Sequence, residues 1–339
     1  MILVQIYCFK AILSILFVTI VCIFILFITQ YVPGNDKGND AASLLILIWY
    51  WPFHKTLNLT SNVCYDLYGI KNCQLTDNRS MLVQADVVVF HHKELQKSSD
   101  VPYEMRPPGQ KWVWASLESP SNVMDLEKWN HTFNWVLSYR QDSDIFVPYG
   151  KLVLHSPSNS FTIPPKTGLV SWVISNYKSI HERALLYKKL FQHVTVDIYG
   201  KAAKKELCPK CLLPVVSKYK FYLAFENSIH RDYITEKMWY NSFEACAVPV
   251  VLGPPRTNYE QFVPPDSFIH VEDFESPEKL ARFLRTMNTS QYKEFFKWRR
   301  KYSLKLFQDW RERFCSICTV YHSLPQEKIY HNLQEWFKA

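Results

Sequence analysis

Tyr219 to Val263 reads YKFYLAFENSIHRDYITEKMWYNSFEACAVPVVLGPPRTNYEQFV, and this stretch decides the fold. Its apolar run ends at Phe225, and a polar loop follows from Glu226 to Asp232. From Tyr233 to Cys246 apolar residues recur at helical spacing. The order is strand, loop, helix. A helix begun at such a loop presents unpaired backbone N–H groups and the positive end of its dipole. Arg231 and Lys237 add full charges there, which suits a diphosphate. The same residues also read as an ordinary helix start, with Asp232 as the cap and Glu236 beside Lys237 on a solvated first turn.

The rhythm repeats outward. Strand-like runs at 169–174, 194–199, 220–225, 248–252 and 268–271 alternate with helix-like segments at 181–193, 233–246 and 277–287. Short, fully apolar strands joined by helices imply parallel sheets covered on both faces, with ligands beyond the carboxyl ends of the strands. An earlier series at 44–50, 86–90, 112–115 and 133–138 gives a second α/β unit, and two such units enclose a cleft. Arg183 opens a helix just after a strand and is either a second phosphate contact or a surface arginine. Glu118, in KWVWASLESP (111–120), stands past the end of an aromatic strand at the rim of the cleft. Trp112, Trp114 and Leu117 would strengthen it as a base for a hydroxyl proton, against the plainer reading of a loop or cap residue. Asp142-Ser143-Asp144 could hold a divalent cation on a nucleotide diphosphate. It lies in the half without the phosphate-like unit, however, and the charges at 231–237 could stabilise phosphates without metal. His91-His92 could ligate metal too, but neighbours on a strand point to opposite faces, which makes one core and one rim.

With 48% apolar and 16% aromatic residues against 21% charged, and only 8 Gly in 339 residues, the chain is globular and long enough for two domains. Disorder and low-complexity character are excluded. Lys and Arg number 39 against 31 Asp and Glu, and the resulting +8 suits anionic partners: sugar nucleotides, sialylated glycans, lipid head groups or nucleic acid. Ala11 to Thr29 is a 19-residue run without a charge, about the length of a membrane-crossing helix. We read 1–10 as a cytoplasmic tail, 11–31 as a transmembrane signal anchor and 32–43 as a stem. Lys10 and the amino terminus on the short side favour the type II orientation. Four N-glycosylation sequons, at Asn58, Asn78, Asn130 and Asn288, lie on the far side of that anchor. So do Cys64, Cys73, Cys208, Cys211, Cys315 and Cys318, an even set that implies disulfides in an oxidising lumen. Zinc or redox roles for the two C-x-x-C pairs are weaker readings, since no His follows at ligand spacing. Connectivity is open between Cys64–Cys73 with Cys315–Cys318 and both amino-terminal cysteines clasping the carboxy-terminal pair. Cys246 reads as a buried free thiol.

Residues 219–274 closely resemble the donor motif of the α-1,3-fucosyltransferase family, and FNWVLSYRQDSDIFVPYG (133–150) resembles its second signature; the likeness spans about residues 44–339. The resemblance implies a GT-B-like α/β fold, two Rossmann-like domains facing a cleft: an acceptor-binding domain at 44–160 and a GDP-fucose-binding domain at 161–339 with terminal helices. It implies an inverting reaction with no metal and no cofactor. Glu118 would deprotonate the acceptor's GlcNAc 3-hydroxyl as it attacks fucose C1, and Arg183 and Lys237 would contact the diphosphate. Asn227, Tyr233 and Glu236 match positions that hold fucose, ribose or neighbouring groups. VVFHHKELQ (88–96), LCPKCLLP (207–214) and DWRERFCSIC (309–318) look most like members that act on α2,3-sialylated N-acetyllactosamine of glycoproteins and glycolipids in the Golgi membrane. Neutral N-acetyllactosamine as acceptor, or a membrane-anchored glycan binder without chemistry, are the alternatives; a lumenal body removes nucleic acid. The chain departs from the family pattern at Met238-Trp239-Tyr240-Asn241-Ser242, at Glu244-Ala245-Cys246 and at Gln141, where an Arg is common.

Overall fold

LLILIWY forms strand β1 (Leu44–Tyr50) in the structure, a computed structural model that describes residues 43–339 except 99, 124, 156–160 and 209. The tail, the anchor and the stem up to residue 42 therefore lie outside the described residues. Among the described residues no helix is long and apolar enough to cross a membrane. Strands β2 (Cys73–Thr76), β3 (Val87–His91), β4 (Lys111–Ser116), β5 (Trp135–Ser138) and β6 (Ile145–Phe146) join β1 in a parallel sheet ordered β2-β1-β3-β4-β5-β6. β7 (Gly150–Leu154) then leaves that sheet. A second parallel sheet, ordered β12-β11-β10-β8-β9, is built from β8 (Gly168–Val173), β9 (Asp197–Tyr199), β10 (Tyr219–Phe225), β11 (Val248–Leu252) and β12 (Ile269–His270). β13 (Tyr302–Leu306) pairs antiparallel with β7. In each sheet the strand order reverses beside the first strand, between β1 and β3 and between β8 and β10, and such switch points form ligand crevices at the carboxyl ends.

The helices that matter to the site are α1 (Val63–Tyr68), α2 (His92–Lys97), α3 (Glu182–Leu190), α4 (Glu236–Met238, continuing as a π-helical turn over Trp239–Glu244), α5 (Pro277–Thr286), α6 (Trp310–Val320) and α7 (Leu333–Lys338). The strands and helices expected from the apolar runs are present, with the helix after the donor-type loop beginning at Glu236 rather than Tyr233. The terminal helices, grouped by sequence with residues 161–339, pack on the first sheet instead. Phe314 and Ile317 of α6 join Ile46, Val87, Val89 and Val113 on one face, and Leu333 and Phe337 of α7 join Val88, Phe90, Trp112 and Trp114 on the other. A parallel sheet must be covered on both faces, and the first half supplies too few helical residues of its own, so the chain's end returns to cover it.

That return is fastened covalently. Cys64 of α1 bonds Cys315 and Cys73 of β2 bonds Cys318, so the amino-terminal cysteines clasp the carboxy-terminal pair, while Cys208 bonds Cys211. Cys246 is a free, half-buried thiol.

Candidate functional site

Residues at the carboxyl ends of the first sheet open onto a cavity of about 640 Å³, within the range of about 300–1,000 Å³ usual for ligand sites. Phe53 follows β1, His91 ends β3, His92, Lys93, Gln96 and Lys97 belong to α2, and Leu117 and Glu118 follow β4. Glu236 and Tyr240 reach it from the second half, and Phe307, Trp310 and Arg313 from the returning segment. Glu118 is half-buried, and its Oε1 accepts hydrogen bonds from the Ser119 backbone N–H (2.9 Å), Asn122 Nδ2 (3.1 Å) and the Tyr233 hydroxyl (2.8 Å). Tyr233 thus stands against Glu118 across the two halves, edge-on to Tyr139.

The loop 226–233 is stitched to the loop after β4 throughout. Ser228 Oγ donates to Ser119 Oγ (2.6 Å), and Ser121 Oγ and His230 Nε2 lie 2.6 Å apart. Asp232, a candidate cap in the plainer reading of the sequence, adopts a left-handed φ of 61° and accepts from the Gln141 backbone N–H (2.9 Å) and Asn258 Nδ2 (2.7 Å). It therefore ties the halves together, and the helix start is served by Glu226. This buried carboxylate accepts from the Thr235 N–H and hydroxyl (each 2.9 Å) and from Lys237 Nζ (2.8 Å). Burial disfavours charge on Lys237, yet Glu226 and Glu236 outweigh it and hold the ammonium's pKa above the ordinary lysine value. Arg183, 5% exposed on α3, donates through one terminal nitrogen to the Asn176 carbonyl, while its Nε is buried without a partner among the described residues. Burial lowers its pKa, and among the groups pulling the other way are Glu226, Tyr233 and Glu236. The structure brings Arg183, Tyr233, Glu236 and Lys237 into one electrostatic neighbourhood at the β8/β10 switch point. Asn227, the residue after Glu226, is half-buried, its Oδ1 2.9 Å from Ser228 Oγ.

Other expectations are redistributed. Arg231 pairs with acids, 3.5 Å from Asp142 Oδ2 and 3.7 Å from Asp232 Oδ2. Asp142 is bound by Arg140 (2.7 Å), and Asp144 accepts from Lys328 Nζ (2.6 Å), the Tyr330 hydroxyl (2.8 Å) and the Val136 N–H (2.9 Å), so both carboxylates are committed to packing contacts. His91 and His92 do not split into core and rim. The strand turns into α2 between them, which cancels the alternation of a strand, and both are buried with ring centroids 4.6 Å apart. His91 Nδ1 is hydrogen-bonded to buried Glu94, and burial drives the His92 pKa down to about 3. Among the described residues the His, Cys, Asp and Glu side chains clustered closely enough for a metal are Cys64, Cys73 and Cys315, all in disulfides. Asn58, Asn78 and Asn288 are exposed; Asn130 is half-buried and its Oδ1 accepts from the Leu333 N–H (3.2 Å). Sequence reasoning missed Glu226, Thr235 and Asn122. Their only signal was position beside charged or catalytic candidates.

Comparison with known proteins sets these features in a family. Residues 163–336 match the model for glycosyltransferase family 10 (fucosyltransferase), C-terminal part, and residues 41–150 match the fucosyltransferase N-terminal model. Alpha-(1,3)-fucosyltransferase 7 of Rattus norvegicus is 52% identical over 323 residues, covering 95% of this chain and 86% of that protein. Its Homo sapiens counterpart is 53% identical over 308 residues, covering 89% of each. The 4-galactosyl-N-acetylglucosaminide 3-alpha-L-fucosyltransferase 9 of Bos taurus is 42% identical, covering 89% of this chain and 84% of that one. A crystal structure of an alpha1,3-fucosyltransferase with GDP-fucose shares the fold at a TM-score of 0.56 and 17% identity, over 86% of this chain and 93% of that one.

Proposed function

The chain belongs to glycosyltransferase family 10, the fucosyltransferases, and is an α-1,3-fucosyltransferase; we propose that it transfers L-fucose from GDP-fucose to the GlcNAc 3-hydroxyl of α2,3-sialylated N-acetyllactosamine on glycoproteins and glycolipids, with inversion and without metal, making sialyl Lewis x. The observation that carries the site assignment is the 2.8 Å bond from Tyr233 to Glu118, which sets a cavity carboxylate beside the loop leading to Lys237. In the proposed step Glu118 takes the proton of the 3-hydroxyl as that oxygen attacks fucose C1. The new C–O bond forms while the bond from C1 to the phosphate oxygen breaks, and its electron pair leaves with GDP. A single displacement inverts C1.

The charge growing on GDP would be met by Arg183, whose buried Nε is unspent, and by Lys237, which would exchange part of its contact with Glu226 for phosphate oxygen. Asn227, Tyr233 and Glu236, on the loop and helix start around Lys237, are assigned to the fucose and ribose. The metal-free assignment is supported by the engagement of Asp142 and Asp144 with Arg140, Lys328 and Tyr330. A single-pass type II arrangement with the body in the Golgi lumen is supported by the uncharged run at 11–29 and by the disulfides at Cys64, Cys73 and Cys208. The test is fucose transfer from GDP-fucose with chelator present, to sialylated and neutral N-acetyllactosamine side by side. Transfer to the sialylated acceptor alone is expected; equal transfer to both would move the assignment to neutral acceptors, and chelator sensitivity would overturn the metal-free step.

A further inference from the structure

We infer that Lys93 and Lys97, one turn apart on α2, form the subsite that takes the carboxylate of the acceptor's sialic acid; the inference rests on the sialylated-acceptor reading above. The cavity is polarised. The loop after β4 and α4 contribute the acids Glu118 and Glu236 to its lining, and α2 contributes Lys93 and Lys97. The remaining cation on the wall, Arg313, is buried and spends its guanidinium on the carbonyls of Val147, Pro148 and Phe307. By contrast both lysines are exposed, and among the described residues neither has a carboxylate in ion-pair range.

The orientation of α2 is imposed from below. Glu94 and Leu95 are buried, with Glu94 locked onto His91. Residues four apart lie on one face of a helix, so anchoring 94 and 95 in the core leaves 93 and 97 on the cavity side. Lys93 Nζ lies 4.9 Å over the ring of Phe53, at the cavity mouth, which limits its wandering. A ligand that must place a hydroxyl against Glu118 and also carries a carboxylate is repelled by Glu118 and Glu236, and attracted to α2. A neutral glycan gains nothing from the lysines. They therefore select among acceptors without touching the transferred group.

The test uses the full-length chain and compares kcat/KM on three acceptors: α2,3-sialylated N-acetyllactosamine, its sialic acid methyl ester, and neutral N-acetyllactosamine. In Lys93→Gln/Lys97→Gln, the value for the sialylated acceptor is expected to fall at least tenfold, chiefly through KM, while those for the ester, the neutral acceptor and the GDP-fucose KM stay within about twofold. Lys93→Arg/Lys97→Arg should restore it, and rising salt should erode the wild-type preference. An unchanged preference in the glutamine variant would overturn the inference, as would a parallel loss on all three acceptors, which would mark a structural role. If the wild-type chain itself does not distinguish the sialylated acceptor from the neutral one, the underlying acceptor reading fails first, and that result is separable from the others.

Discussion

Glu118, the base of the proposed step, already receives three donors at its Oε1, from Ser119, Asn122 and Tyr233. Replacing it by Gln keeps shape and removes the base, so Glu118→Gln is expected to lower kcat about 10²- to 10⁴-fold with the GDP-fucose KM little changed, read from initial rates. A residual rate within tenfold of wild type would exclude Glu118 as the base. His92 makes a different prediction. Burial, the first cause, then the charges of His91 and Lys93, lower its pKa to about 3, whereas in the unfolded chain it titrates near 6.5. A pKa lowered by folding contributes stability that is complete above about pH 6.5 and is lost as pH falls, about 2 kcal/mol by pH 5. His92→Phe should accordingly flatten the fall in Tm between pH 7.5 and pH 5, and an equally steep fall in the variant would sink this. At this scale Glu118 was legible as an acid following an aromatic strand. Its bond to Tyr233 was not, because 115 residues separate the two and no local pattern encodes the meeting.

At the element scale α7 illustrates how much rests on a short helix. Phe337 is 1% exposed and packs edge-on against Trp114 at 4.8 Å. Phe337→Ala removes a whole ring from that layer and is expected to cost about 3–5 kcal/mol, seen as a lowered Tm or denaturation midpoint. The six-residue helix that begins at Thr289 offers a finer test: Asn288 Oδ1 accepts from the Gln291 N–H at 2.9 Å, so Asn288 is both cap and sequon. Asn288→Ala should cost about 1 kcal/mol in unglycosylated protein, while Ser290→Ala should abolish any glycan there and leave the cap. The strand runs were readable because a fully buried parallel strand is continuously apolar. The start of α4 was not, since the acid that holds its N-cap residue Thr235 is Glu226, nine residues earlier, rather than the nearer Asp232.

For the whole molecule the clasp between chain ends is decisive. Cys64–Cys315 closes a sequence separation of 251 residues, worth about 5 kcal/mol on chain entropy. Cys73–Cys318 lies beside it and adds a much smaller closed loop. Non-reducing peptide mapping is expected to find peptides carrying Cys64 and Cys73 joined to those carrying Cys315 and Cys318, and Cys64–Cys73 linkage would contradict the fold described. The sequence by itself determined the α/β class, the positions of most strands, the strand–loop–helix at 219–246, the acid at 118 and an even set of cysteines beyond residue 43. These follow from hydrophobic period, turn chemistry and residue type, which are local properties. Only the tertiary structure decided the disulfide partners, the stitching of loop 226–233 to the loop after β4, the burial of both His91 and His92, and the return of α6 and α7 to the first sheet. Each depends on contacts between residues far apart in the chain, formed when two open sheets must cover both faces and satisfy every buried polar group at once.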